Sequence, residues 1–329
     1  MLKETLTNKM KVGFLCNKLT IRGDNVAMYD YAHFNETLLG NQSVIITRDF
    51  NKIMNHFDVD IKAYLKFKKR FPVFYYEKRE DLDDIVEREK IDVLYIIKSG
   101  TMVDGLITNI CKCVIHCVFE LNNPHGDVYA SVSPSLNKIW NTNYPVVPHM
   151  IFLPEVDGDL REELGIPKSN IVFGRHGGRE TFDLKFAQQI VVKIAYENPN
   201  YTFLFMNTYR FCNLNNVIFL DGNTDMIFKR KFINTCDAMI HGGARGETFG
   251  ISCGEFAICE KPVIVYSQPN GGKSHLEILG EKAVIYNNPD ELYEILKSFD
   301  SSKYNMENNG YMKFNPDNVM KTFQEVFLS

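Results

Sequence analysis

The sequence carries no excess of positive charge: 37 Lys and Arg stand against 41 Asp and Glu in 329 residues, a formal net charge of −4. Such a balance gives no global field to hold nucleic acid through its phosphates, so any phosphate must be met by a local cluster of cations. Nowhere do apolar residues approach 18 in succession, which argues against a membrane-spanning helix. The opening stretch MLKETLTNKMKVGFLC has no apolar core of the kind a secretory signal needs, and a cytoplasmic location is expected. The sequons at Asn35, Asn41 and Asn200 are then chance matches. The eight cysteines include no Cys-x-x-Cys pair, and no Gly-x-Gly-x-x-Gly follows the first apolar run, which argues against a nicotinamide-binding fingerprint.

Further absences concern metals. Cys111, Cys113, His116 and Cys117 lie close in sequence, but a strand sends the cysteines to one face and His116 to the other. They read as reduced thiols of a buried strand. Asp58-Val59-Asp60, Asp81-Leu82-Asp83 and Asp157-Gly158-Asp159 each spell Asp-x-Asp, yet none ends a long apolar strand. No metal and no cofactor are expected. Asn270-Gly271-Gly272-Lys273-Ser274 ends like a P-loop, but the glycine such a loop requires would fall on Ser267.

The sequence does contain 45% hydrophobic and 12% aromatic residues, ample for two domains with a core each. Apolar runs of four to seven residues alternate with amphipathic stretches. The first series predicts strands at 11–16, 43–47, 73–75, 93–97 and 113–119, with helices at 25–39, near 60–69 and at 81–89. Three prolines between Pro145 and Pro154 mark a linker. A second series then predicts strands at 170–173, 202–205, 217–219, 238–241 and 262–266, with helices at 182–196, 224–234 and 251–258. Apolar strands alternating with helices indicate parallel sheets covered on both faces. The expected class is α/β, two doubly wound Rossmann-like domains facing across a cleft, with ligand sites in loops at the carboxyl ends of strands. Pro316 to Leu328 reads as a closing amphipathic helix.

One stretch concentrates the chemistry: HGGARGETFGISCGE, residues 241–255. Glu247 falls in the loop after a strand and Glu255 in the helix that follows. Glycines 242, 243, 246 and 250 permit close backbone approach, and the amides of Phe249, Gly250 and Ile251 open a helix, a ready anion site. A carboxylate repels phosphate but binds sugar hydroxyls well.

Glu247-x7-Glu255, with Gly-Glu-Thr-Phe-Gly at its start and Lys261-Pro262 after it, resembles the EX7E motif of retaining glycosyltransferases with the GT-B fold, family 4 in particular. The resemblance implies that Glu247 contacts the donor sugar at its reacting end. It gives Thr248, Phe249, Gly250 and Ile251 to sugar hydroxyls and phosphate, and Glu255 to the ribose. Residues 171–185 are similar to the family's Gly-Arg strand end followed by a helical lysine. Arg179 and Lys185 would clamp the diphosphate, with Gly178 among the donor-binding residues and Arg175 competing for the arginine role. The inserted pair Gly177-Gly178, and the lack of a glycine after the lysine, depart from the family pattern and leave that arginine open. The family's strand-end histidine matches His116, preferred over His125 because it sits in an apolar strand. Gly23 is the single glycine of a first loop similar to the family's phosphate-closing loop. Lys273, His275 and Glu277 are candidates for the base or acceptor.

The implied domains are an acceptor-side domain at 1–147, a nucleotide-sugar-binding domain at 148–312, and a helix at 313–329 crossing back to the first. The implied activity is metal-independent transfer of a hexose to an acceptor hydroxyl with retention. GDP-mannose is the favoured donor substrate and UDP-glucose the next; a sugar-nucleotide epimerase or a non-catalytic nucleotide-sugar-binding protein is the alternative. Expected partners are the nucleotide-sugar donor and a glycan, glycoprotein or lipid acceptor, but no nucleic acid. The basic run Lys66 to Arg70 admits weak contact with a membrane surface, and a homodimer is also admitted.

Overall fold

A computed structural model describes residues 9–54, 59–103, 106–268 and 271–329; Asp58 of one Asp-x-Asp, and Asn270, lie outside them. The chain divides into two compact units. The first comprises Met1–Thr20, Asp24–Pro148 and Pro316–Ser329, and the second Ile21–Gly23 and His149–Asn315.

The first unit runs β1 (Lys11–Leu15), α1 (Gly23–Thr37), β2 (Gln42–Thr47), α2 (Phe50–Ile53), α3 (Ile61–Arg70), β3 (Val73–Tyr75), α4 (Arg79–Glu89), β4 (Val93–Lys98), β5 (Lys112–Cys117), β6 (Val128–Ser131) and α5 (Pro134–Trp140). The second runs β7 (Ile171–His176), α6 (Lys185–Glu197), β8 (Tyr201–Met206), β9 (Val217–Leu220), α7 (Met226–Thr235), β10 (Ala238–Ile240), β11 (Gly246–Glu247), α8 (Ile251–Ile258), β12 (Val263–Tyr266), β13 (Gly272–Lys273), α9 (Ser274–Leu279), β14 (Ala283–Tyr286) and α10 (Pro289–Lys297). Then α11 (Pro316–Phe323) returns to the first unit.

Each unit has a six-stranded parallel sheet, in the order β3-β2-β1-β4-β5-β6 and β14-β12-β10-β7-β8-β9. Counted from its own first strand, the second sheet has the same winding as the first: out one way for three strands, then back past the start for three more. Helices on both faces explain why VLYIIK in β4 and YTFLFM in β8 are buried at every position rather than at alternate ones.

Local chemistry sets the helix starts. Asn288 accepts from the Glu291 amide at 2.9 Å with Pro289 in the first turn, so α10 begins there. In the second core Phe173 stacks on Phe203, their centroids 5.3 Å apart. Phe182 packs 4.9 Å from Phe205, which is why α6 begins only at Lys185 and not at Phe182 as its periodicity predicts.

Other departures have similar reasons. The first series does not end at Phe119: Val128–Ser131, too short to stand out, pairs with β5 as a sixth strand. β14 and α10 likewise extend the second series beyond Tyr266. Glu247 is not in an open loop but in the two-residue strand β11, paired with Lys273 of β13. The C-terminal helix changes at Gln324 to a π-helical turn, which seats Phe327 5.5 Å from both Tyr95 and His116.

Gly174 in β7 marks a close approach between the sheet and α7 and α8. A Cβ there would lie 2.2 Å from Cys236 Sγ and 3.2 Å from the Phe256 ring, all of them buried. Gly174→Ala is expected to lower unfolding free energy by about 1–3 kcal/mol, read as a lower urea midpoint at unchanged slope.

Candidate functional site

In the second unit the strand order reverses between β7 and β10, which lie side by side. Chain leaving neighbouring strands in opposite directions opens a crevice at their carboxyl edge. Residues 177–184 leave β7, residues 241–250 leave β10, and hydrogen bonds tie the two: the Ala244 amide donates to Asp183 Oδ1 at 2.7 Å and the Leu184 amide to the Gly242 carbonyl at 3.0 Å. Gly242 is required here, since a Cβ would stand 2.5 Å from the Phe182 ring.

The structure separates the two arginines that the sequence leaves open. Arg175, inside β7, is 3% exposed and donates to the Gly178 carbonyl at 2.8 Å and to the hydroxyls of Thr181 and Thr208. Burial lowers its pKa to about 10, against the opposing charges of Glu247 and Glu180. It shapes the loop carrying Gly178 and offers nothing to solvent. Arg179 is exposed and lies with Lys185, the exposed first residue of α6, around a depression of about 350 Å³. Glu180, Asp183, Tyr209 and Arg210 share that depression, and the Arg179 guanidinium stands 5.6 Å from the Tyr209 ring centre. Sequence reasoning passed over Tyr209 and Arg210; their signal was a polar run, 207–210, directly after an apolar strand.

On the β10 side, Glu247 is about a third exposed, with a side-chain value of 31%, and its Oε1 lies 3.1 Å from His241 Nε2. Burial pushes its pKa up, but the His241 hydrogen bond and the fields of His241, His275 and Arg175 outweigh this and hold it below the usual carboxylate value. It is therefore an anion at neutral pH. Thr248 and Ile251 are half-buried, whereas Phe249 is a core residue packed on His149, Tyr311 and Phe314, so only its backbone remains for a ligand. Gly250 caps α8 at φ 86°, and a Cβ there would meet the His275 Cβ and the Tyr311 hydroxyl, each at 2.9 Å.

Glu255 has a different setting. It is 2% exposed and accepts from Lys229 Nζ of α7 at 2.7 Å. His176 Nε2 lies 3.1 Å from the other oxygen but outside hydrogen-bonding geometry, so that contact is electrostatic and Oε2 has no hydrogen bond. Burial raises the carboxyl pKa, but Lys229 and His176 overcome it and lower the value to about 2. Neither Lys229 nor His176 was assigned from the sequence. His176 stands beside Arg175 in a stretch already singled out; nothing local marks Lys229.

In the first unit, His116 is fully buried, with Nδ1 2.7 Å from the Tyr95 hydroxyl and Nε2 2.8 Å from the Val147 carbonyl. Burial lowers its pKa to about 3. Both ring nitrogens are engaged inside the core. His125, also buried, holds the Asn123 carbonyl at 2.7 Å and Lys98 Nζ at 3.1 Å. Gly23 stands not in a loop but as the first residue of α1. Lys273 closes β13, and Glu277 lies in α9.

Removing the charge of Glu255 leaves Lys229 buried without its partner, so Glu255→Gln is expected to destabilise by about 3 kcal/mol, and adding Lys229→Met should recover much of it. A carboxyl held down at about 2 gives its full stabilisation above the ordinary 4.5 and loses it as pH falls from there toward 2. Urea unfolding from pH 6 to pH 2.5 should show that decline in the native chain and a smaller one in the double variant.

No protein-family profile and no curated protein matches the sequence. Solved structures do match along nearly the whole chain. HepE from Anabaena, in complex with UDP and glucose, superposes with a TM-score of 0.74 at 17% identity, over 97% of this chain and 100% of that one. WaaG, a glycosyltransferase involved in lipopolysaccharide biosynthesis, gives 0.61 at 12% identity over 96% of each chain. TarM gives 0.63 at 9% identity, over 98% of this chain and 99% of the other. With its two parallel six-stranded sheets and their helices, this chain has the α/β fold of the GT-B glycosyltransferases.

Proposed function

We propose that this chain is a retaining glycosyltransferase that moves a hexose from a nucleoside diphosphate sugar to an acceptor hydroxyl. The observation that carries the reading is that the exposed cations Arg179 and Lys185, beyond β7, and the anionic Glu247, beyond β10, belong to two strand exits that hydrogen bonds tie together at one strand-order reversal. Negative charge grows on the leaving diphosphate as the glycosidic bond breaks, and fixed cations stabilise that charge. Arg179 and Lys185 take this role, with Arg210 adding a third cation to the same depression. Glu247 accepts hydrogen bonds from the hexose hydroxyls and orients the reacting carbon. The ribose contact that the resemblance gives to Glu255 requires Oε2 to be uncovered, since it is buried 3.1 Å from His176 Nε2 while Lys229 holds Oε1. No side chain is assigned as a nucleophile; the acceptor hydroxyl attacks from the face the diphosphate leaves, and its proton passes to the departing diphosphate oxygen.

HepE has been solved with UDP-glucose as well as with UDP and glucose. That likeness puts UDP-glucose ahead of GDP-mannose as the first donor to assay, reversing the order the family resemblance favours. The acceptor falls to the first unit, where α3 exposes Ile61 and Leu65, 48% and 55%, beside Lys62, Lys68 and Lys69. This face supports weak attachment to an anionic lipid surface. Sedimentation with anionic vesicles, and not with zwitterionic ones, is expected; equal recovery with both removes that partner.

In donor hydrolysis and transfer assays, Glu247→Gln and Lys185→Ala are each expected to lower kcat by about 10²–10³. Undiminished turnover in both variants overturns the assignment. Tight donor binding by the native chain with neither transfer nor hydrolysis would make it a nucleotide-sugar-binding protein instead.

A further inference from the structure

His241 follows β10 directly and is 4% exposed. Its Nε2 faces Glu247 Oε1 at 3.1 Å, and an ionised carboxylate only accepts, so Nε2 carries the hydrogen. The opposite nitrogen, Nδ1, is buried without a hydrogen-bond partner. The residue is held from several sides. Its carbonyl accepts from the Tyr286 hydroxyl at 2.7 Å, and its amide donates to the Ile264 carbonyl at 2.8 Å. The ring lies against that of His275, centroids 5.0 Å apart. Gly243 leaves room for it: a Cβ there would stand 3.3 Å from Cε1 and 3.4 Å from Nε2. His275 is itself fully buried with neither nitrogen hydrogen-bonded, and burial lowers its pKa to about 3, so it stays neutral beside the pair. Glu247 is fixed at its backbone by the pairing of β11 with β13. The rotation of its carboxylate is left to His241.

We propose that His241 is the positioning residue of Glu247, its Nε2–H holding Oε1 so that Oε2 alone meets the hexose hydroxyl. The inference rests on the role given to Glu247 above. His241 does not touch the donor; it removes the rotational freedom of the group that does. Misplacing a substrate-orienting group by about 1 Å can slow a reaction about 100-fold, and the loss falls on turnover more than on affinity when the rest of the donor grip stays intact.

The test combines His241→Phe, which keeps the ring volume and removes the donor, with His241→Gln, whose side-chain amide can donate from a similar place. Each is made alone and together with Glu247→Gln, and melting temperature is followed beside donor hydrolysis and transfer. His241→Phe is expected to lower kcat about 100-fold while donor KM changes little, and His241→Gln to recover most of the loss. On the Glu247→Gln background, His241→Phe should add nothing further. Should His241→Phe fail to fold, His241→Gln and the tautomer described below carry the test. Losses that multiply, a glutamine variant as slow as the phenylalanine one, or an effect on KM alone each overturn the proposal. Nitrogen-15 NMR of the imidazole reads the contact without turnover: the Nε2–H tautomer is expected, with its signal moving in Glu247→Gln, and an Nδ1–H tautomer overturns the proposal. If Glu247→Gln leaves kcat unchanged, the function proposed for Glu247 fails, and the tautomer still decides the contact.

Discussion

The pairing of β7 with β10 is the constraint on which the second unit's site depends. Both strands run parallel, but the chain beyond each winds to a different side of the sheet, so their loops part at the carboxyl edge. The Asp183–Ala244 and Leu184–Gly242 hydrogen bonds bring those loops back into contact. Arg179 and Lys185 from one strand's exit, and Glu247 from the other's, are thereby held at one edge by backbone geometry, not by attraction between their charges. The glycines of the β10 loop follow from this. Gly242 meets the Phe182 ring, Gly243 the His241 ring and Gly250 the His275 Cβ, each at a distance that leaves little or no room for a side chain.

The two carboxylates of one motif carry their charge by different means. Glu255 is removed from water and its anion survives because α7 brings Lys229 within 2.7 Å; an unpaired charge at that depth would be too costly to keep. Glu247 keeps about a third of its exposure, at 31%, and its Oε1 lies 3.1 Å from His241 Nε2. The first is a buried ion pair, and the second is a partly exposed anion held by one hydrogen bond. Seven intervening residues join them through the turn after β11 and the start of α8, but the partners come from other elements, and the partners determine what each can do.

Elements were legible in the sequence where burial on both faces made apolar runs continuous, as in β4, β5, β7 and β8. They were lost where the run was short: β6 has four residues ending in serine, and its identity as a strand comes from pairing with β5. Among site residues, Glu247, Arg179 and Lys185 stood out because strand-to-helix exits with glycines are visible as spacing. Tyr209, Arg210 and Lys229 did not, since each joins its group from another strand exit or helix. His116 shows what local sequence does not carry. A histidine in an apolar strand has the same local signature whether its ring faces a ligand or, as here, is closed in by Tyr95, Val147 and the returning Phe327.

The sequence by itself therefore determined the α/β class and its two series of strands and helices, because these follow from periodicity along the chain. Tertiary structure alone decided which arginine is buried and which exposed, which histidine is core and which steadies a carboxylate, and that Glu255 is held by Lys229. Those properties depend on solvent access and on partners distant in sequence, and both come into being only when the strands are ordered into a sheet.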